Sequence, residues 1–164
     1  MYKIGDSVVY PMHGAGVIED IEQKEILGKQ QSYYVLRMPM GDMKVMVPMD
    51  NVSGVGMRDV IGKNQAEEVL AAFRTVETDV IQNWNKRFRE NMLKIKSGDI
   101  FEVAAVVKSL MLRDRQKGLS TGERKMLSNA KQILISEIVV ATGVDHDSIE
   151  ARLCGMVDEE LKCE

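Results

Sequence analysis

The chain has 164 residues, 45% of them apolar, and 22 basic against 25 acidic side chains give a formal charge of −3. That is enough for one or two small domains with a packed core, while no apolar run approaches the length of a membrane span. The start, Met1-Tyr2-Lys3-Ile4-Gly5-Asp6, has no apolar signal core, and Cys154 and Cys163 suit reduced thiols better than a disulfide framework. A cytoplasmic protein with no membrane association is expected.

The first 59 residues alternate short apolar stretches with turn formers: Ser7 to Tyr10, Pro11-Met12-His13-Gly14, Gly16 to Ile26, Gly28-Lys29, Gln31 to Met38, Pro39-Met40-Gly41-Asp42 and Met43 to Val47. Several strands at this spacing predict a small β-barrel. In Met43-Lys44-Val45-Met46-Val47 the period of two turns Met43, Val45 and Val47 to the core and leaves Lys44 and Met46 outside. An outward Met beside a Lys on a short strand suits a docking edge, and equally an ordinary surface of a Met-rich chain.

From residue 60 the period becomes helical. Asn64-x-x-Glu67, Asp99-x-x-Glu102, Ser120-x-x-Glu123 and Asp147-x-x-Glu150 have capping-box form, and Gly98, Gly118 and Gly143 stand where helices would stop. Five helices are predicted, over about 64–74, 79–96, 99–116, 121–142 and 147–162, joined by connections short enough for a compact bundle. The overall expectation is an α+β chain with a barrel domain over 1–59 and an all-helical domain over 60–164.

Charge is unevenly spread along this order. Residues 1–59 hold six basic and eight acidic side chains and residues 60–83 two and four, whereas 84–131 hold twelve against five and 132–164 two against eight. A basic block of that size steers a polyanion, and the acidic tail limits indiscriminate adhesion. The block opens with Asn83-Trp84-Asn85-Lys86-Arg87-Phe88-Arg89, which contains the single tryptophan. A broad aromatic among cations suits a protein that neutralises phosphates and wedges or stacks against bases. Two readings of Trp84 stand at this point. At 100° per residue it shares an arc with Val80, Ile81, Phe88, Met92 and Ile95, which makes it a core residue. If Asn83 is the helix N-cap, Trp84 lies in the first turn, the indole can project, and the first-turn amides face a phosphate.

Other constellations carry less. His13 reads as a turn residue, and His146 with Cys154 and Cys163 lacks metal-ligand spacing, so no metal site is expected. Gly54-Val55-Gly56 lacks the third glycine of a nucleotide-binding loop. Asp145, Asp147 and Glu150 read as caps and surface charge, Glu67-Glu68 and Asp158-Glu159-Glu160 as exposed helix faces, and Cys154 as core. No residue cluster supports a catalytic site, and no cofactor is expected. A β-barrel RNA-binding or ribosome-associated module with a structural helical half is the alternative functional class.

The chain resembles the CarD/CdnL family of bacterial RNA polymerase-binding transcription regulators over nearly its whole length. The resemblance rests on Gly5-Asp6-Ser7-Val8-Val9-Tyr10-Pro11 with His13-Gly14, Val47-Pro48, Gly56-Met57-Arg58-Asp59, Asn83-Trp84-Asn85-Lys86-Arg87, Lys96-Ser97-Gly98-Asp99, and Arg113-Asp114 followed by Gly118-Leu119-Ser120 and Gly122-Glu123. It implies a Tudor-like N-terminal domain, shared with transcription-repair coupling factors, that binds the RNA polymerase β subunit. It also implies a helical domain on promoter DNA, whose tryptophan wedges into the minor groove at the upstream edge of the melted bubble. Carried over, the wedge is Trp84, with DNA contacts near Lys86, Arg87 and Arg89 and further candidates at Arg124 and Lys125. On the polymerase side, Lys24 matches a position that is basic in some relatives. A second such position is Met46 here in place of Arg, which shifts weight to apolar and backbone contacts; Lys44, beside it on the outward face, is the third candidate for polymerase binding. The resemblance further implies a monomer, associated with the nucleoid through polymerase.

Overall fold

The computed structural model describes residues 2–39, 43–52, 54, 56–76 and 83–162. Among these, strands β1 (Ser7–Tyr10), β2 (Gly14–Ile26), β3 (Lys29–Arg37), β4 (Lys44–Pro48) and β5 (Arg58–Asp59) precede the helices. The helices are α1 (Lys63–Thr75), α2 (Trp84–Lys96), α3 (Ile100–Gln116), α4 (Thr121–Thr142) and α5 (His146–Lys162). The order is α+β, as the sequence predicts.

The strands form one antiparallel sheet in the order β4-β3-β2-β1-β5. The expected barrel does not close: among the described residues β4 pairs only with β3 and β5 only with β1. At two residues, β5 is too short to carry a second ladder. One face buries Val8, Ile18, Tyr34, Leu36 and Val47 in a core of its own. Val9 and its register partner Ala15, one residue out of phase with Val8 and therefore on the other face, are buried where α4 crosses β2. β2 and β3 extend past the sheet as a hairpin closed by Leu27-Gly28, both with positive φ, and Leu27 is 99% exposed. In β4, Val47 is buried and Val45 packs on the sheet core, but Met43 lies before the strand and is 47% exposed, contrary to the expected alternation.

The helices start and stop at local signals, though not always the expected ones. Asp99 and Ser120 cap α3 and α4, accepting from the amides of Phe101 and Glu123. The N-cap of α1 is Gly62 with no side-chain cap, so Asn64 lies inside the first turn. At α5 the capping carboxylate is Asp145, which accepts from the Ser148 amide, instead of Asp147. The expected start of the second helix at 79 falls on residues outside those described, and α2 begins at Trp84. Phe73, Leu110, Leu134, Ile138, Ile149 and Leu153 centre the helical core. Burial of such side chains is worth roughly 1.5 to 3 kcal/mol each. Lys108, almost fully buried, donates to the Arg74 and Val76 carbonyls at the end of α1.

Sheet and helices are joined through two adjacent polar residues in the apolar middle of α4. The Ser136 hydroxyl accepts from the Ala15 amide at 2.9 Å, and a Cβ at Gly14, where φ is +111°, would lie 2.5 Å from that same oxygen. Only glycine permits this approach. The Glu137 carboxylate, with no solvent exposure, accepts from both terminal nitrogens of Arg58 on β5, at 2.6 and 2.7 Å, and from the Ile61 amide at 3.0 Å. Arg58 Nε donates to the Gly98 carbonyl at 3.0 Å, and Glu137 is the main reason its pKa is raised. Met12, in the turn between β1 and β2, packs against the helical core.

Candidate nucleic-acid interface

Trp84 is the first residue of α2. Asn83 has extended backbone, and its side-chain oxygen accepts from the Lys86 amide at 3.0 Å, so the chain turns into helix directly at the indole. The ring stacks on Phe88, one turn later, with centroids 5.0 Å apart and planes 19° from parallel. Its N–H donates to the Ser120 hydroxyl at 3.1 Å. A Cβ at Gly122 would lie 3.7 Å from both rings, so the bare second position of α4 forms the floor beneath them. Trp84 stays 42% exposed. Of the two readings left open by the sequence, the projecting one holds: an aromatic shelf supports the indole, and no core encloses it.

The start of α4 supplies the rest of the cradle. Ser120 Oγ accepts from the Glu123 amide at 3.2 Å and from the indole, joining the cap of α4 to Trp84. The Glu123 carboxylate accepts from Arg87 Nε at 2.8 Å and Nη2 at 3.0 Å, and both side chains are buried. Hydrogen bonding to Arg87 holds the Glu123 carboxyl below the usual carboxylate range against the opposing effect of burial; Arg113 and Ser120 add to the lowering. The same bond raises the Arg87 pKa.

Arg87 therefore stands apart from the cations with which the sequence groups it. Lys86, Arg89, Arg124 and Lys125 are exposed, and among the described residues none lies within ion-pairing distance of a carboxylate. On α4 they diverge. At about 100° per residue, Lys125 lies some 60° around the helix from Gly122, beside the indole, and Arg124 some 160° away. Arg124 lines a cleft between α4 and α5 with Ser128, Lys131, His146 and Glu150. Of the two exposed α4 cations, Lys125 is thus the one on the side of the indole, while Lys86 and Arg89 follow Trp84 within two turns of α2. At the edge of this cleft, His146, Asp147 and Glu150 bring ligand-type atoms within 4.8 Å of one another, but Glu150 is already paired with Lys131 at 2.9 Å, which lowers its pKa.

On the sheet, Lys24, Lys44 and Met46 share one face. Lys24 Nζ lies 3.4 Å from Met46 Sδ across β3, and Lys44 pairs with Glu19 at 3.3 Å. Because β4 is an edge strand, its outer backbone groups are available for pairing with another chain.

Sequence reasoning missed Ser120, Gly122 and Glu123 as the setting of the indole, and Arg58, Ser136 and Glu137 as the joint between sheet and helices. Ser120-x-x-Glu123 was legible as a cap, and the polar pair Ser136-Glu137 interrupts an apolar run from Ile133 to Val140.

Residues 2–61 match the family model of the CarD-like/TRCF RID domain, and residues 68–154 that of the CarD C-terminal domain. YdeB of Bacillus subtilis (strain 168), named as a candidate transcription factor, is 42% identical over 151 residues, covering 92% of this chain and 99% of its own. Among solved structures, CdnLNt from Myxococcus xanthus matches at 43% identity with a TM-score of 0.33, over 37% of this chain and 86% of that one. No helix among the described residues is long and apolar enough to cross a membrane. With both family models matched in chain order and a relative similar over nearly its full length, this chain belongs to the CarD/CdnL family, which acts in transcription regulation.

Proposed function

We propose that the sheet domain, residues 1–59, docks on the RNA polymerase β subunit through the face and edge carrying Lys24, Lys44 and Met46. The helical domain, residues 60–164, then presents Trp84 as a minor-groove wedge at the upstream edge of melted promoter DNA. The observation that carries this reading is an exposed indole, stacked on Phe88 and anchored to Ser120, with exposed Lys86, Arg89 and Lys125 on the same two helices. Such a surface neutralises backbone phosphates while the ring occupies space that must empty before the strands can reanneal. The minor groove offers a degenerate code, so little sequence readout is expected. The protein acts as a monomer and shifts a population without turning over a substrate. Few phosphates are contacted, so binding to free DNA is weak, and attachment to polymerase supplies the missing affinity as effective concentration.

The test is the lifetime of open complexes formed by purified polymerase. A base–aromatic contact is worth about 1 to 3 kcal/mol, so Trp84→Ala is expected to shorten that lifetime by roughly five- to more than a hundredfold while polymerase binding persists. A folded Trp84→Ala protein with the full wild-type effect refutes the wedge.

A further inference from the structure

We infer that Arg87 and Glu123 are positioning residues for the indole: their buried ion pair locks the start of α2 onto the start of α4 and so aims Trp84. The inference rests on the reading of Trp84 as the wedge and identifies what holds it there.

Arg87 follows Trp84 by three residues on α2, and Glu123 follows the cap Ser120 by three on α4. The two nitrogen–oxygen contacts, at 2.8 and 3.0 Å, form a two-pronged fork. A fork of this kind fixes separation and rotation together, which a single apolar contact cannot do. Ser120 links the fork to the ring: its oxygen accepts from the indole N–H and the Glu123 amide, and lies 3.4 Å from the Glu123 carboxylate. Moving Glu123 therefore moves the acceptor on which the indole rests. The chemistry of the interior favours the same assignment. Arg87 and Asn91 are two of the three buried residues of α2, an expensive choice for a helix face that needed only to pack. Buried ion pairs add little stability over apolar residues of equal volume, and their best-attested use is to specify geometry. With Nε and Nη2 committed to Glu123 and the residue 6% exposed, Arg87 offers a phosphate less than the exposed cations do.

The single tryptophan permits a direct test by acrylamide quenching of its fluorescence, run beside open-complex lifetime. Glu123→Gln keeps the Arg87 charge but weakens the fork, so quenching is expected to rise and lifetime to fall about three- to tenfold with helix content unchanged. Arg87→Lys, which keeps a cation for DNA but cannot form the fork, is expected to behave in the same way. The reversed pair Arg87→Glu/Glu123→Arg should recover quenching and most of the lifetime although position 87 is then negative. Wild-type quenching in both Glu123→Gln and Arg87→Lys overturns the positioning role. So does a raised quenching with unchanged lifetime in a background where Trp84→Ala shortens it. If Trp84→Ala has no effect on lifetime, the wedge reading fails, while the quenching data still decide whether the pair positions the ring.

Discussion

Replacing Arg58 by Met tests the joint between sheet and helices. The substitution leaves the Glu137 carboxylate, with no solvent exposure, holding only the Ile61 amide in place of three donors. It also removes the bond from Arg58 to the Gly98 carbonyl. Stranding one member of a buried pair costs about 3 to 5 kcal/mol, and because the Arg58 side chain is 31% exposed, water offsets part of the loss and the lower end applies. A loss of about 3 kcal/mol in a chain of this size lowers Tm by roughly 6 to 12 °C. Urea titration at neutral pH, followed by far-ultraviolet circular dichroism, measures it directly. The double substitution Arg58→Met/Glu137→Leu removes both charges and is expected to recover most of the loss, because an apolar pair needs no partner in the interior. A single-variant change below about 1 kcal/mol, or a double variant less stable than Arg58→Met, refutes the reasoning.

Three further outcomes are expected. For free duplex DNA, Lys125→Gln should flatten the plot of log affinity against log salt by about 0.9 for one lost phosphate contact, Lys86→Gln/Arg89→Gln by about twice that, and Arg124→Gln least; equal slopes for Lys125→Gln and Arg124→Gln would erase the division between the two sides of α4. Since the folded state holds the Glu123 carboxyl below its ordinary value, the pair contributes stability at and above the usual carboxylate range and loses it as pH falls through the lowered value. The stability gap between wild type and Glu123→Gln, from urea midpoints, should therefore be widest near neutrality and close in acid; a gap independent of pH contradicts the ionised pair. Leu27→Asn should raise stability by about 0.5 to 1 kcal/mol, because Leu27 is a non-glycine residue at φ 53° in a two-residue hairpin turn that favours Asn-Gly; an unchanged urea midpoint would mean the turn is not strained.

Much of this molecule is written locally. Ser120 and Asp99 announce their helices because a short side chain satisfying first-turn amides depends on a few neighbouring residues alone. Asn64 and Asp147 mislead because an acidic or amide residue three before Glu also occurs inside a first turn, where Gly62 or Asp145 already makes the start. The position of Trp84 follows from Asn83: helical periodicity extended back through residue 80 would carry the indole inward, but a cap at 83 frees it. Lys86, Arg87 and Arg89 look alike in a list of charges. Rotation about α2 separates them, since Arg87, Asn91 and Ile95 recur every four residues on the buried face. That much was available from spacing. The identity of Glu123 as partner was not, because it lies 36 residues away and only the packing of α2 against α4 brings it near. The open sheet was equally hidden: closure depends on how far β5 runs, and nothing in the alternation of Met57-Arg58-Asp59-Val60 marks where pairing stops.

Helix α4 carries the indole's acceptor at one end and the grip on the sheet near its middle. From Ser120 to Glu137 it rises about 25 Å without a break, at 1.5 Å per residue. Both fixtures belong to one rigid rod, so the helix serves as a caliper between the sheet and the aromatic ring. A residue inserted between its jaws would swing one relative to the other by about 100°, so the contacts of α4 could be kept at one end only. The length of α4 thus sets where the ring stands relative to the sheet, as much as any side chain it bears.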